Sequence, residues 1–369
     1  MDAVLFPAQY LEQCFSSDYQ SAQARFKIKA QELANAASYE ELLYPETGPQ
    51  GEALSTGLVW QGDPQASKVL VVQSATHGVE GFAGSAIQLD TLSRIAEEGL
   101  PEQTAILYLH AINPFGFAWL RRTNEKGVDL NRNFIDFNQP LPENAGYVAL
   151  ADALLPASPD QRAAADYRLG AYRKEQGQRA YELAVSGGQY QFSDGLFFGG
   201  TEPSRSRLHL EELFLKYDLN AREKIAVVDI HTGLGPFAYG ELICDHAPDS
   251  VGLRWAREWF GESVTEPAAG TSSSVPKHGL IDYLWQRKLH DKVCFVTLEY
   301  GTYSVDEMFE VLRQDHLLHR GSVDWQGEET KRIKSRIRKF FYPETTDWQE
   351  MVLLRGRQVL KQAIRGLMS

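Results

Sequence analysis

The sequence predicts an α/β fold, in which helices flank a mixed, mostly parallel central sheet and a helical insertion interrupts the order of strands. Short apolar runs bounded by polar residues are typical of strands that are buried on both faces of a sheet. Segments with helical spacing lie between these runs, as the crossover connections of parallel strands require. The clear runs are residues 68–76, 104–112, 225–230 and 293–298.

The first half of the chain begins with a region that is expected to be mainly helical as far as residue 44. Residues 19–44 are rich in Ala, Glu, Gln and Leu with amphipathic spacing, and the Pro- and Gly-containing segment 45–49 predicts a loop. A helical stretch at 83–98 then separates the runs 68–76 and 104–112. Strand, helix and strand in this order predict a βαβ unit.

The second half contains a long stretch, about residues 140–224, that is rich in Ala, Gln, Arg and Tyr. We interpret it as a mostly helical insertion, because the strands on either side are expected to belong to one sheet. Residues 1–369 are therefore predicted to form a single domain. A short strand is expected at 241–244, beside the strand 225–230. Further helices are expected at 250–260, 279–289, 304–320 and 346–367.

The composition favours a folded protein that binds neither nucleic acid nor membrane. Hydrophobic residues make up 43% and charged residues 23% of the chain, and 37 basic against 49 acidic residues give a net charge of −12. The basic cluster 331–339 is expected to be a solvated helix face. With few, scattered cysteines, no basic leader and no apolar window of ~18 residues, we expect a reduced, cytoplasmic protein.

Two histidines and a glutamate follow buried strands. His77 and Glu80 come directly after the run 68–76, and His231 ends the run 225–230. Because ligands collect at the carboxyl ends of parallel strands, these side chains are expected to meet. Two His and one Glu with an open fourth position are the composition of a catalytic zinc site, so we expect one zinc ion per chain. Asp229 is a candidate for orienting a ligand, although strand alternation also allows it to point elsewhere.

A further carboxylate and a group of basic residues complete the candidate site. Glu299 ends an apolar run, where a carboxylate is costly unless it is paired or functional. It is suited to take a proton from water in metal-assisted hydrolysis and to pass one to the leaving nitrogen. An arginine fork binds carboxylates bidentately, although paired arginines in a loop are also commonly solvated. The loop candidates are Arg121, Arg122, Asn131 and Arg132.

Together these pieces resemble the carboxypeptidase A-like zinc metallopeptidases. That family shows His-x-x-Glu after a strand, Asn-Pro-x-Gly-Phe, Val-Asp-x-Asn-Arg-Asn-aromatic, a later His, and a Glu on the last core strand. All of these motifs occur here in that order, across about residues 68–302. The resemblance implies a role for each candidate: His77, Glu80 and His231 as zinc ligands, Glu299 as general base, Asn131 and Arg132 as groups that bind a C-terminal carboxylate, and Arg121 or, by preference, Arg122 as the carbonyl-polarising arginine.

Two departures from that family keep the substrate open. Residues 279–282 fit its Gly-x-Ile-Asp segment, but the approach to it, 270–277, lacks the family's mobile tyrosine. Tyr303 and Tyr239 are candidates to replace that tyrosine, and neither is preferred. The Asp-Ile-His-Thr-Gly context of His231 also resembles the succinylglutamate desuccinylase and aspartoacylase branch, which hydrolyses acylated amino acids.

The expected activity is zinc-dependent hydrolysis of an amide bond in a peptide or small amide with a free carboxylate, as in a metallocarboxypeptidase. The alternative is an N-acyl amino acid deacylase, in which the same basic residues hold the amino acid carboxylate. A non-catalytic descendant that binds only peptide or metal is disfavoured, because the three ligands and the base are all present.

Overall fold

The computed structural model describes residues 5–33 and 37–369, in which helices cover both faces of one eight-stranded sheet. The strands are β1 Ala37–Thr47, β2 Ala53–Gly62, β3 Lys68–Ser74, β4 Thr104–His110, β5 Lys224–Gly233, β6 Gly240–Ile243, β7 Val264–Thr265 and β8 Val293–Gly301. The helices are α1 Ala8–Cys14, α2 Tyr19–Glu32, α3 Gly81–Glu98, α4 Pro114–Ala118, α5 Ala145–Leu154, α6 Arg162–Gln176, α7 Gln178–Ser186, α8 Arg205–Lys216, α9 Val251–Phe260, α10 Asp282–Leu289, α11 Val305–Leu318, α12 Glu328–Phe341 and α13 Thr346–Met368.

The sheet is mixed and mostly parallel, as the sequence predicts. Its strand order is β1-β2-β4-β3-β5-β8-β6-β7. The four central strands β4, β3, β5 and β8 run parallel, and so do β6 and β7. The pairs β1–β2, β2–β4 and β6–β8 are antiparallel. The βαβ unit expected around β3, α3 and β4 is confirmed. The carboxyl ends of three adjacent parallel strands, β3, β5 and β8, therefore meet at one edge of the sheet.

Both faces of the central strands are buried, which explains their continuous apolar sequences. In β3, Leu70 and Val72 belong to a core that includes residues of α3, α9 and α13. The alternate residues Val69 and Val71 belong to a second core with residues of α8 and α10. All four side chains are fully buried.

The stretch 140–224 is mostly helical, as predicted, and its helices pack in two places. Helices α5, α6 and α7 share a third apolar cluster with α11 and α12, in which Tyr147 and Leu150 lie with Phe309 and Phe340. Helix α8 instead packs on the second core through its buried residues Leu210, Leu213 and Phe214.

Two expectations about strands are wrong. Within the segment 19–44 the helix ends at Glu32, and residues from Ala37 onward form β1, which continues to Thr47. Most residues of β1 are exposed or half-buried, so burial of its own side chains contributes little to strand formation. Its pairing with β2 therefore outweighs the helical propensity of its residues. The short strand β6 lies beside β8 rather than β5, because β3 and β8 already occupy both edges of β5. Residues 1–4 and 34–36 of the predicted N-terminal helical region lie outside the described residues.

The basic cluster 331–339 is only partly the solvated face that the sequence predicts. It lies on α12, and Lys334 is buried there with its ammonium 2.5 Å from an oxygen of Asp315. The three cysteines, Cys14, Cys244 and Cys294, are free and buried. Within residues 5–33 and 37–369, no helix is both long and apolar enough to cross a membrane.

Two leucines of α8 test whether this helix is packed on the sheet as described. Leu213 is 1% exposed and Leu215 is 89% exposed, so one substitution can be compared on both faces of one helix. Leu213→Ala is expected to lower the free energy of unfolding by ~2–5 kcal/mol, because it removes buried methyl groups and leaves a cavity. Leu215→Ala should change it by less than ~0.5 kcal/mol. Urea unfolding of both variants measures this, and equal losses would contradict the packing.

Candidate metal centre

His77, Glu80 and His231 converge where β3 and β5 end. His77 follows β3 by three residues, Glu80 closes the short 3₁₀ turn that leads into α3, and His231 lies near the end of β5. Gly78 allows this turn to approach α4 closely, since a Cβ atom there would lie 2.0 Å from the carbonyl carbon of Gly116. All three side chains of the cluster are buried.

The facing atoms of the three side chains form a compact set of donors. The Nδ1 atom of His77 lies 2.9 Å from Oε1 of Glu80 and 3.1 Å from Nδ1 of His231. Oε2 of Glu80 lies 3.2 Å from that same Nδ1 of His231. Two imidazole nitrogens and a carboxylate oxygen so close together match the ligand types and number of a catalytic zinc site.

The outer nitrogens of both imidazoles face buried carboxylates. Nε2 of His77 lies 3.2 Å from Oδ1 of Asp129, and Nε2 of His231 lies 2.6 Å from Oδ2 of Asp229. The hydroxyl of Thr76 donates to Asp229 at 2.9 Å and orients that carboxylate. A proton held on Nε2 of His231 leaves its Nδ1 lone pair directed at the shared centre, which is the arrangement of carboxylate, histidine and metal found in zinc proteins.

The charges around the cluster favour a cation at its centre. Burial alone would favour the neutral imidazole, but the carboxylates of Asp229 and Glu80 raise the pKa of His231 well above its ordinary value. Burial likewise opposes ionisation of Glu80, yet His77 and His231 lower the pKa of its carboxyl. The field that stabilises a proton here also stabilises a metal ion.

Glu299 lies next to the cluster on β8. Its Cα is in register with that of His231 on the parallel neighbour β5, so both side chains emerge on the same face of the sheet. Oε1 of Glu299 accepts a hydrogen bond of 2.9 Å from the backbone N–H of Leu234. Burial, and next the nearby charge of Glu80, raise the pKa of Glu299 to about 7.

The two neighbouring arginines point to different parts of the molecule. Arg122 donates to Glu80 at 3.2 Å and to Asp129 at 2.9 Å, and its Nη2 lies 2.7 Å from Nε2 of His77. Arg121 instead contacts Asp315 at 3.2 Å and does not line the cavity that contains the cluster. The structure therefore brings Arg122, the preferred candidate, to the cluster.

Arg132 is a fully buried guanidinium that lines the same cavity. It donates to the carbonyl oxygens of Asn131 at 2.6 Å and Ser186 at 2.7 Å. Within the described residues its Nε has no hydrogen-bond partner, and burial lowers the pKa of the side chain. The neighbouring Asn131 also lines the cavity and accepts a hydrogen bond of 2.8 Å from the N–H of Ile281.

Some residues of the cavity were not predicted from the sequence. Asp245, Lys277 and Asp282 line it together with the cluster, whereas the tyrosine candidates Tyr239 and Tyr303 do not. Lys277 ends the segment 270–277, in which the family's tyrosine is missing, and Ser273, Ser274 and Val275 of the same segment also line the cavity. Nothing in the sequence near Asp245 indicated its position.

Most of the chain matches one family of protein sequences. The family described as "Protein of unknown function (DUF2817)" matches residues 15–355. The chain belongs to this family. No curated protein sequence matches it.

Solved structures are similar to the chain at low sequence identity. Carboxypeptidase A from Helicoverpa armigera is 14% identical, with 96% of this chain and 74% of that chain covered and a TM-score of 0.56. The succinylglutamate desuccinylase from Chromobacterium violaceum is 15% identical, with 87% and 74% covered and a TM-score of 0.37. The similarity to the first of these confirms the carboxypeptidase-like fold that the sequence motifs predict.

Metal analysis tests the cluster directly. His77→Ala and His231→Ala should each lower bound zinc by at least ~10-fold after dialysis, and Asp229→Asn should weaken zinc affinity by ~10–100-fold because it removes the carboxylate that orients His231. His278→Ala, an exposed histidine near the cavity, serves as the control and should retain zinc. Full zinc content in His231→Ala would contradict the assignment.

Proposed function

We propose that this protein is a zinc-dependent amide hydrolase of the metallocarboxypeptidase type, which acts on a peptide or small amide with a free carboxylate. The observation that carries the proposal is the convergence of His77, Glu80 and His231 in one cavity with Glu299 and Arg132. One zinc ion per chain fits the donor set, since zinc accepts imidazole nitrogen and carboxylate oxygen. When bound, zinc would polarise the substrate carbonyl and lower the pKa of water.

Glu299 is the proposed general base. A carboxyl with a pKa of about 7 is matched to neutral pH, where it both accepts and returns a proton efficiently. In the proposed reaction it takes a proton from the water that attacks the carbonyl carbon. It then gives that proton to the leaving nitrogen as the C–N bond breaks.

Arg122 is the proposed arginine that stabilises the developing negative charge on the carbonyl oxygen. Its guanidinium is held by Glu80 and Asp129 beside the cluster, so it does not have to reorganise during the reaction. Arg121 is buried in its ion pair with Asp315, which supports a structural role for it.

Arg132, with Asn131 beside it, is proposed to bind the free carboxylate. Among the described residues, the hydrogen bonds of this buried guanidinium go to backbone oxygens, which carry no formal charge, and its Nε lacks a partner. A carboxylate provides the planar acceptor that such a group prefers. The same contact would serve an N-acyl amino acid deacylase, which stays the alternative and is separated by assaying C-terminal peptides against N-acyl amino acids. The cytoplasmic location also stays a prediction.

Replacing the base tests the mechanism. Glu299→Gln should retain zinc and its folded structure but lose ~100–10,000-fold in kcat, because the amide accepts no proton from water. Turnover is measured on substrates that the wild type hydrolyses, with zinc content and melting temperature measured on the same samples. Activity within a few-fold of wild type would show that another residue is the base.

Replacing the guanidinium tests the substrate class. Arg132→Ala should raise KM by ~10–100-fold for a substrate with a free carboxylate, since a charged hydrogen bond contributes ~1.5–3 kcal/mol. The same substrate as its terminal amide has no charge to bind, so its KM should hardly change. The two substrates also control for misfolding, because a misfolded variant would lose activity on both. An equal effect on acid and amide would make Arg132 structural and leave the zinc hydrolase without its carboxylate-binding group.

A further inference from the structure

The cavity extends from the metal cluster along the face of two strands. Side chains of Glu299, Thr297 and Phe295 alternate onto the same face of β8 and line it. The antiparallel neighbour β6 adds Ile243, which is in register with Thr297, and then Asp245 beyond its end. At ~3.3 Å per residue, Phe295 lies ~13 Å along the strand from Glu299. The cavity therefore continues well past the proposed site of bond cleavage.

Two carboxyl groups, those of Asp245 and Asp282, line this extension, and neither forms an ion pair within 4 Å among the described side chains. Asp282, the first residue of α10, is 3% exposed, and its Oδ2 accepts a hydrogen bond of 2.6 Å from Gln286. Its Oδ1 has no hydrogen-bond partner within the part of the chain that the structure describes. Burial raises the pKa of Asp245, and burial together with the charge of Asp245 raises the pKa of Asp282. The two groups therefore repel each other.

The cations of the cavity do not neutralise both carboxylates. Lys277 and, less strongly, Arg132 lower the pKa of Asp245, but the Lys277 ammonium donates to the Ser274 hydroxyl and, at 2.9 Å, to the Val275 carbonyl oxygen. It forms no ion pair within 4 Å of a carboxylate oxygen in residues 5–33 and 37–369. Arg132 is proposed to bind the free carboxylate of the substrate, so its charge is already matched when substrate is bound. When both carboxyl groups are ionised, one lysine leaves one negative charge uncompensated, which is costly in a buried site.

We propose that Asp245 and Asp282 bind a cationic group of the substrate, so that the residue whose carboxylate Arg132 holds carries a long basic side chain. An ammonium or guanidinium would supply donors to the free Oδ1 of Asp282 and offset the remaining charge. This inference rests on the proposed function, and it narrows the substrate to an amide of lysine, arginine or a similar diamino acid.

Three matched substrates test it on the zinc-loaded protein. They share one acyl group and end in lysine, in norleucine, which has a similar length without charge, or in glutamate. The lysine substrate should exceed the norleucine substrate by ~10–100-fold in kcat/KM, and the glutamate substrate should be the poorest. Asp245→Asn and Asp282→Asn should each lower the lysine-to-norleucine ratio towards one. Asp249→Asn, at an exposed position outside the cavity, is the matched control and should keep the wild-type ratio.

A binding measurement separates this inference from the proposed function. Calorimetry with free lysine and free norleucine needs no turnover, and lysine should bind the wild type at least ~10-fold more tightly. If no substrate is hydrolysed but lysine is selected in this way, the hydrolase proposal fails and the cationic site stands. Equal or tighter binding of norleucine, or a lysine preference unchanged in both variants, overturns the inference. If Asp282→Asn does not fold, Asp245→Asn and the wild-type comparison still decide.

Discussion

Buried charge at the carboxyl edge of β3, β5 and β8 is the constraint on which the rest of the site depends. Parallel strands bring His77, His231 and Glu299 to one edge, and the interior that stabilises the fold makes each unpaired charge there costly. Carboxylates behind the imidazoles offset this cost, so Asp129 and Asp229 are as much part of the cluster as the proposed ligands themselves. They help to direct the Nδ1 atoms of the two imidazoles towards the shared centre.

Asp129 connects the cluster to the substrate side of the cavity. This fully buried carboxylate accepts from Arg122 at 2.9 Å, from the backbone N–H of Asn131 at 3.0 Å, and lies 3.2 Å from His77. Burial opposes its ionisation, but Arg122 and Arg132 hold the pKa of Asp129 well below its ordinary value. One side chain thus orients a proposed ligand, the proposed polarising arginine and the turn that carries Arg132. Conservative changes at Asp129 should therefore affect several steps together.

The sequence predicted the parts of the fold whose signal is local. Strands such as β3 and β5 are recognisable because burial on both faces demands continuous apolar residues. The proposed ligands could be predicted with them because they lie at the ends of these strands. The edge strand β1 was missed because its pairing with β2 is not encoded in its own mostly exposed residues. The choice between Arg121 and Arg122 could not be made from the sequence for the same reason. It depends on carboxylates as distant in sequence as Asp315, which holds Arg121.

The proposed carboxylate site depends on the helical insertion. The carbonyl oxygen of Ser186, at the end of α7, holds Nη2 of Arg132 at 2.7 Å. On the same helix, Arg179 donates at 3.2 Å to the carbonyl oxygens of Pro267 and Ser274, in the segment that leads to Lys277. Helix α7 therefore orients both a cation that is proposed to bind substrate and a loop that lines the cavity. These contacts support the prediction of a single domain, since a separately folded insertion would leave Arg132 without its partner.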